Sequence, residues 1–225
     1  MTEPSEPPTE PVFLTHTRAG YDAIAADYER LVAGELESEP LGRAMLAAYA
    51  EIVRDPGGPV VEVGSGQGRI TAYLDGLGVP ISGIELSPAM LARARANFPG
   101  LRFEPGTMTA LDLKDGELGG LVSWYSLIHI PPERHPGVLA EFHRVLAPGG
   151  HLLLAFQVGD APLHFDEAFG HAVDLDFHRL DPDRVTATLT AAGFTIRARL
   201  IRAAETVERS EKVPQACLIA GKPAA

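Results

Sequence analysis

The chain has 225 residues, 45% of them hydrophobic and 22% charged, with a formal net charge of −11. That length buries a full core in one ordinary domain without disulfide staples. An acidic chain with no block of lysine or arginine lacks the cationic footprint of a nucleic-acid binder, and no apolar run approaches the ~20 residues of a membrane span. Its single cysteine, Cys217, cannot close an internal disulfide, which fits a reducing compartment. The N-terminus shows no charged-then-apolar signal pattern. The expectation is a cytoplasmic protein that uses neither nucleic acid nor membrane as partner.

Residues 1–11 are rich in proline and glutamate and offer no apolar anchor, so they are predicted to be a disordered tail. Residues 12–55 are helical in period and form an N-terminal cap. Tyr21, Ile24, Ala25, Tyr28 and Leu31 recur at three- and four-residue steps, with Thr17 placed to cap the start. A second helix follows Pro40 through Leu41, Ala44, Met45, Ala48, Tyr49 and Ile52. Pro56-Gly57-Gly58-Pro59 separates this pair from the main unit, residues 56–225.

That unit opens with Val60-Val61-Glu62-Val63, β-branched residues suited to a strand buried on both faces. Gly64, Gly66 and Gly68 follow at alternate positions, where the chain must turn sharply and leave its backbone open to a ligand. Ile81-Ser82-Gly83-Ile84-Glu85 reads as a second strand ending in an acid, a position from which a carboxylate can accept both hydroxyls of a ribose. Ser87 and Pro88 then supply the N-cap and first turn of a helix running to Asn97, broken by Phe98-Pro99-Gly100.

The combination E-x-G-x-G-x-G followed by G-I-E-L-S-P-x-M-L resembles the class I S-adenosylmethionine-dependent methyltransferases, and R-V-L-x-P-G-G at residues 144–150 adds to the likeness. The resemblance runs from about Tyr21 to the end. It implies an α/β, Rossmann-like methyltransferase fold: a seven-stranded, mostly parallel sheet with a C-terminal antiparallel hairpin and helices on both faces. It also implies S-adenosyl-L-methionine as cofactor. Glu85 would bind the ribose hydroxyls, Glu62 the methionine amine, and Tyr28, with Tyr21 second, would reach the cofactor from the cap. Ser65, Leu86 and Met90 fall beside these motifs. Where many relatives carry an aspartate for the adenine amino group this chain has Thr107, whose hydroxyl accepts without charge assistance. The next residue, Met108, can lay its thioether on the purine.

Strand three is expected over Leu101–Pro105 and strand four over Gly120–Ser126. Parallel strands of open α/β sheets present ligands at their C-terminal ends, which puts Tyr125, Ser126 and His129 between methyl donor and acceptor. A helix over Pro132–Leu146 and a fifth strand over His151–Gln157 follow. Within residues 160–180, positions 172–178 alternate apolar and polar, so the segment is read as an inserted hairpin or lid. Asp181-Pro182 starts a last helix that ends at Gly193, and strands over Phe194–Ile201 and Gln215–Ala220 close the chain. His129, whose ordinary pKa suits proton abstraction, is the first candidate base, with Tyr125, His164 and His171 as alternatives. No metal site is expected. The reading is methyl transfer to an oxygen, nitrogen or carbon of a small-molecule acceptor by a monomer or homodimer. A nicotinamide-dependent oxidoreductase and a non-catalytic S-adenosylmethionine-binding module are the alternatives.

Overall fold

The computed structural model describes residues 10–54, 58–205 and 211–224. Two helices, α1 (Val12–Leu31) and α2 (Pro40–Arg54), precede an alternation of strands and helices. This runs β1 (Val60–Val63), α3 (Arg69–Gly76), β2 (Ile81–Glu85), α4 (Pro88–Asn97), β3 (Phe103–Pro105), β4 (Leu118–Trp124), α5 (His135–Val145) and β5 (Leu146–Gln157). A separate hairpin, β6 (Leu163–Ala168) and β7 (His171–Phe177), then precedes α6 (Pro182–Ala191), β8 (Thr195–Arg202) and β9 (Gln215–Gly221).

Seven strands form one sheet in the order β3-β2-β1-β4-β5-β9-β8. β1 pairs in parallel with both β2 and β4, and β9 runs antiparallel to both β5 and β8. The sheet therefore has the seven-stranded, mostly parallel architecture expected, with β9 as its reversed strand. Side chains alternate between two cores along the buried strands. Val61, Leu121, Leu152 and Leu154 pack with Phe142 of α5 and Leu189 of α6, whereas Val60, Val122, Leu153 and Ala155 pack with Tyr49 of α2 and Leu74 of α3. Strands apolar on both faces can be covered only by helices on both sides.

The two N-terminal helices do different things. α2 belongs to the sheet, with Tyr49 fully buried against it and its hydroxyl 3.1 Å from the Leu121 carbonyl. Only α1 is a cap. It starts at Val12 behind Pro11, five residues before the expected Thr17. It is held from both sides: Asp22 Oδ1 accepts from Ser87 Oγ at 2.5 Å and from the Ala89 N–H at 2.9 Å, and Gly20 lies so close to Leu175 of β7 that a Cβ there would stand 2.6 Å from its side chain. Of the tail expected over residues 1–11, residues 1–9 lie outside the described residues. Glu10 is described and accepts from Arg18 Nη1 at 2.7 Å. The separator expected at residues 56–59 falls partly outside the described residues as well.

Several boundaries shift. The long helix predicted from Pro132 begins as a 3-10 turn, Pro132–Arg134, and becomes α-helical at His135. β5 starts at Leu146, directly at the helix end, so Pro148, Gly149 and Gly150 lie inside the strand.

Candidate functional site

The turn after β1 is built by glycines that differ in purpose. All three have positive φ: 70° at Gly64, 56° at Gly66 and 87° at Gly68. A Cβ at Gly64 would meet Ser126 Cβ at 2.4 Å, and one at Gly68 would meet the Phe103 ring at 2.6 Å. Those two positions allow neighbouring elements to approach. At Gly66 nothing stands within 4 Å, so the bare backbone faces open space. Its N–H donates to Glu85 Oε2 at 2.7 Å, while Glu85 Oε1 accepts from the Ser87 N–H at 2.8 Å. Burial raises the Glu85 carboxyl above the usual carboxylate range, against the pull of these N–H donors.

Tyr21, Tyr28, Gly64, Gly66, Glu85, Leu86, Met90, Thr107, Met108, Tyr125, Ser126 and His129 all border one narrow cavity of about 90 Å³ beneath α1. Leu14, Thr17, Gly106, Trp124 and Ile130 complete the wall where sequence reasoning did not place them. Three of the expected residues are elsewhere. Glu62 is buried under the loop, where its Oε2 accepts from Thr71 Oγ1 at 2.5 Å, and burial pushes its carboxyl up to about 8. Ser65 turns its Oγ toward Gly83 in the sheet interior, with no hydrogen-bond partner. Gly68 is the left-handed N-cap of α3, packed on Phe98 and Phe103. The loop approaches the cavity through Gly64 and Gly66 alone.

Thr107 Oγ1 lies 3.0 Å from Thr109 Oγ1 and also receives the Thr109 N–H, so its hydroxyl is partly spent within its own turn. Ser126 donates to the Val63 carbonyl at 2.7 Å, which leaves Ser123 to donate in the 2.8 Å contact between the two hydroxyls. Ser126 thus ties the end of β4 to β1. Tyr125, beside it, sits at φ 53°, a conformation that a non-glycine residue adopts at a cost. Burial raises its phenol.

His129 has both ring nitrogens engaged. Nδ1 lies 2.9 Å from the Asp176 carbonyl and Nε2 lies 2.8 Å from the Tyr21 hydroxyl. A carbonyl can only accept, so Nδ1 carries the proton and Nε2 accepts from Tyr21. Burial pushes the imidazole down to about 4 and the Tyr21 phenol well up, so both are neutral near pH 7.

The β6–β7 hairpin is the inserted segment expected over residues 160–180. It is tied to α1 by His16 Nδ1 and Asp174 at 2.9 Å and by His171 Nε2 and Asp27 at 3.3 Å, while His164 pairs with Asp176 at 2.9 Å. Those three histidines therefore fasten the hairpin or sit on it, and among the described residues no three His, Cys, Asp or Glu side chains converge as metal ligands would. Between the hairpin, α1 and the sheet lies a second cavity of about 710 Å³. It shares Tyr21, Tyr28, Trp124 and Tyr125 with the narrow one.

Residues 60–150 match the family described as a methyltransferase domain. That match spans the chain from β1 into β5. An uncharacterized methyltransferase of Oceanobacillus iheyensis is 29% identical over 126 residues, 56% of this chain and 57% of its own length. The chain thus spans little more than half of that relative's length. Among solved structures, a [4+2]-cyclase, SpnF, superposes with a TM-score of 0.72 at 17% identity over 94% of this chain and 97% of its own. An S-adenosylmethionine-bound amino pentose methyltransferase from Micromonospora echinaspora superposes at 0.63, with 19% identity over 87% and 96%. The fold is that of the class I S-adenosylmethionine-dependent methyltransferases, as the motifs of the sequence imply.

Proposed function

We propose that this protein transfers a methyl group from S-adenosylmethionine to a small-molecule acceptor. The observation that carries the reading is the Glu85 carboxylate, closing β2 and bonded across to the Gly66 N–H of the β1 turn on one cavity wall. Each carboxylate oxygen has accepted one N–H and keeps a lone pair for a ribose hydroxyl. The bare Gly66 backbone beside it and the thioethers of Met90 and Met108 suit an adenosyl group, polar at the sugar and flat and apolar at the base. These residues fit that cofactor. When bound, it supplies a methyl group already activated on a sulfonium.

The protein's own task is then to align the acceptor and keep water out. α1 covers the cavity and brings Tyr21 to it. With its proton directed at His129 Nε2, the Tyr21 hydroxyl turns its lone pairs toward the space shared by the two cavities. There it can receive a hydrogen bond from an acceptor O–H or N–H, and a proton moved along that line ends on His129 Nε2. A group with a pKa near 4 is a weak base, so in this reading His129 acts chiefly by fixing the Tyr21 proton. Glu62, held by Thr71 away from the cavity, has no part in this reading.

Incubation of the purified chain with methyl-labelled S-adenosylmethionine and an acceptor panel tests the proposal, with label in an acceptor as the expected result. Tight binding of the cofactor with no label in any acceptor would move the reading toward non-transferring chemistry on this fold, as in the [4+2]-cyclase. The nicotinamide alternative is disfavoured by the antiparallel β9, because a dinucleotide-binding sheet continues with parallel βα units.

A further inference from the structure

The second cavity has features that the cofactor does not use. It measures about 710 Å³, within the range of sites that enclose drug-sized molecules. Tyr21, Tyr28, Trp124 and Tyr125 form the wall it shares with the narrow cavity, and Phe165, Phe169 and Phe177 reach it from the hairpin. The chain has nine Phe, five Tyr and one Trp, so nearly half of its aromatic side chains meet around one space. Several are not hidden by folding. Phe165 is 38% exposed, Phe169 48%, and Leu31 on the opposite wall 63%. Large apolar groups left exposed together around a concavity mark a binding surface.

Charge narrows the class of ligand. Three carboxylates, Glu35, Glu167 and Glu211, line this space; Glu35 is paired with the lining guanidinium of Arg69 at 2.6 Å and Glu211 with Arg202 at 2.6 Å, so the lining guanidinium is already committed to a carboxylate. A desolvated anion placed here would have to compete with Glu35 for Arg69 and would stand near Glu167 in a poorly screened setting. Ring faces and edges on both walls favour flat ring systems, which stack or meet edge-on.

We infer that the 710 Å³ chamber is the acceptor site and that it takes an uncharged, multi-ring molecule carrying a hydroxyl that reaches Tyr21. This inference rests on the proposed function for its word acceptor, and on the aromatic walls and carboxylates for its chemistry. The hairpin selects by providing ring contacts, and the four shared aromatic residues position the hydroxyl at the junction of the two spaces.

The test uses 1-hydroxypyrene as an uncharged four-ring probe and 1-pyrenesulfonate as its anionic counterpart. Trp124 is the chain's single tryptophan and lies in the shared wall, so pyrene emission sensitised by it reports occupancy. Hydroxypyrene is expected to bind saturably and at least about tenfold more tightly than the sulfonate. Phe165→Asp on the hairpin and Leu31→Asp on α1 are each expected to weaken it by about fivefold or more, while calorimetric affinity for S-adenosylhomocysteine stays within about twofold. Equal binding of the two pyrenes, or undiminished binding in both variants, overturns the inference. Failure of the unaltered chain to bind S-adenosylhomocysteine is a separate readout that overturns the proposed function instead.

Discussion

The Tyr21 hydroxyl lies 2.8 Å from His129 Nε2, joining the cap helix to the loop after β4 across 108 residues of sequence. Because the Asp176 carbonyl fixes the His129 proton on Nδ1, this contact has a direction: tyrosine donates, histidine accepts.

Tyr21→Phe removes that donor and leaves Nε2 buried without a partner, a loss of about 1–3 kcal/mol in stability. If Tyr21 receives the acceptor, turnover falls by about 10²-fold or more, the scale of proton-handling groups. S-adenosylhomocysteine affinity changes little. His129→Gln is expected to lower turnover in the same sense with cofactor affinity kept. Steady-state kinetics beside calorimetry separates the two effects.

The depressed His129 pKa has a sign that unfolding experiments read. Its folded value of about 4 lies below its unfolded value near 6.5. Between those values the unfolded chain binds a proton that the folded chain refuses, so stability is lost as pH falls from 6.5 toward 4, by about 3 kcal/mol at most. Denaturant titrations at several pH values should show this slope in the unaltered chain and a shallower one in His129→Gln.

Glu62 acts in the opposite direction. Burial lifts its carboxyl to about 8 in the folded chain. The folded state keeps a proton that the unfolded state releases from about pH 4.5 upward, so this contribution is present at low pH and lost as pH rises through 8. Glu62→Gln preserves a side chain for Thr71 and removes that titration. It should be more stable than the unaltered chain at pH 8 by a few kcal/mol, with cofactor affinity unchanged. Weakened S-adenosylhomocysteine binding would instead return Glu62 to the cofactor's amine.

Asp22 joins α1 to the start of α4 through two hydrogen bonds. α1 forms one wall of the narrow cavity through Leu14, Thr17, Tyr21 and Tyr28, so loosening this tie opens that wall to an entering ligand. Asp22→Ala should cost about 0.5–2 kcal/mol of stability, as a lost cap does. It should also raise the association rate of S-adenosylhomocysteine in stopped flow.

What was legible in the sequence was local. The bounds of α4 follow from Ser87, Pro88 and the Phe98-Pro99-Gly100 break, and the structure keeps them: Ser87 Oγ accepts the Met90 N–H at 3.1 Å, and the helix ends at Asn97. Asp181 likewise caps α6 by accepting from Asp183 and Arg184. The Val60–Val63 strand and the acid ending β2 stand side by side in the parallel register that the paired motifs require. The facing of individual residues was not legible. Gly66 and Gly68 are alike in sequence, and only the arrival of Phe98 and Phe103 makes Gly68 a packing residue. Ser65 points inward because Gly83 makes room for it. The second cavity needs α1 and a hairpin more than 130 residues later, and nothing local in either announces the other.

In the proposed function, the β1 turn and the carboxylate closing β2 hold one adenosyl ligand between them. Calorimetric titration of the unaltered chain and of Glu85→Ala with S-adenosylhomocysteine measures that grip. Binding to the unaltered chain and a loss of about 1–3 kcal/mol in the variant, the scale of a charge-assisted hydrogen bond, is the predicted result. Equal affinity in the two proteins would contradict it.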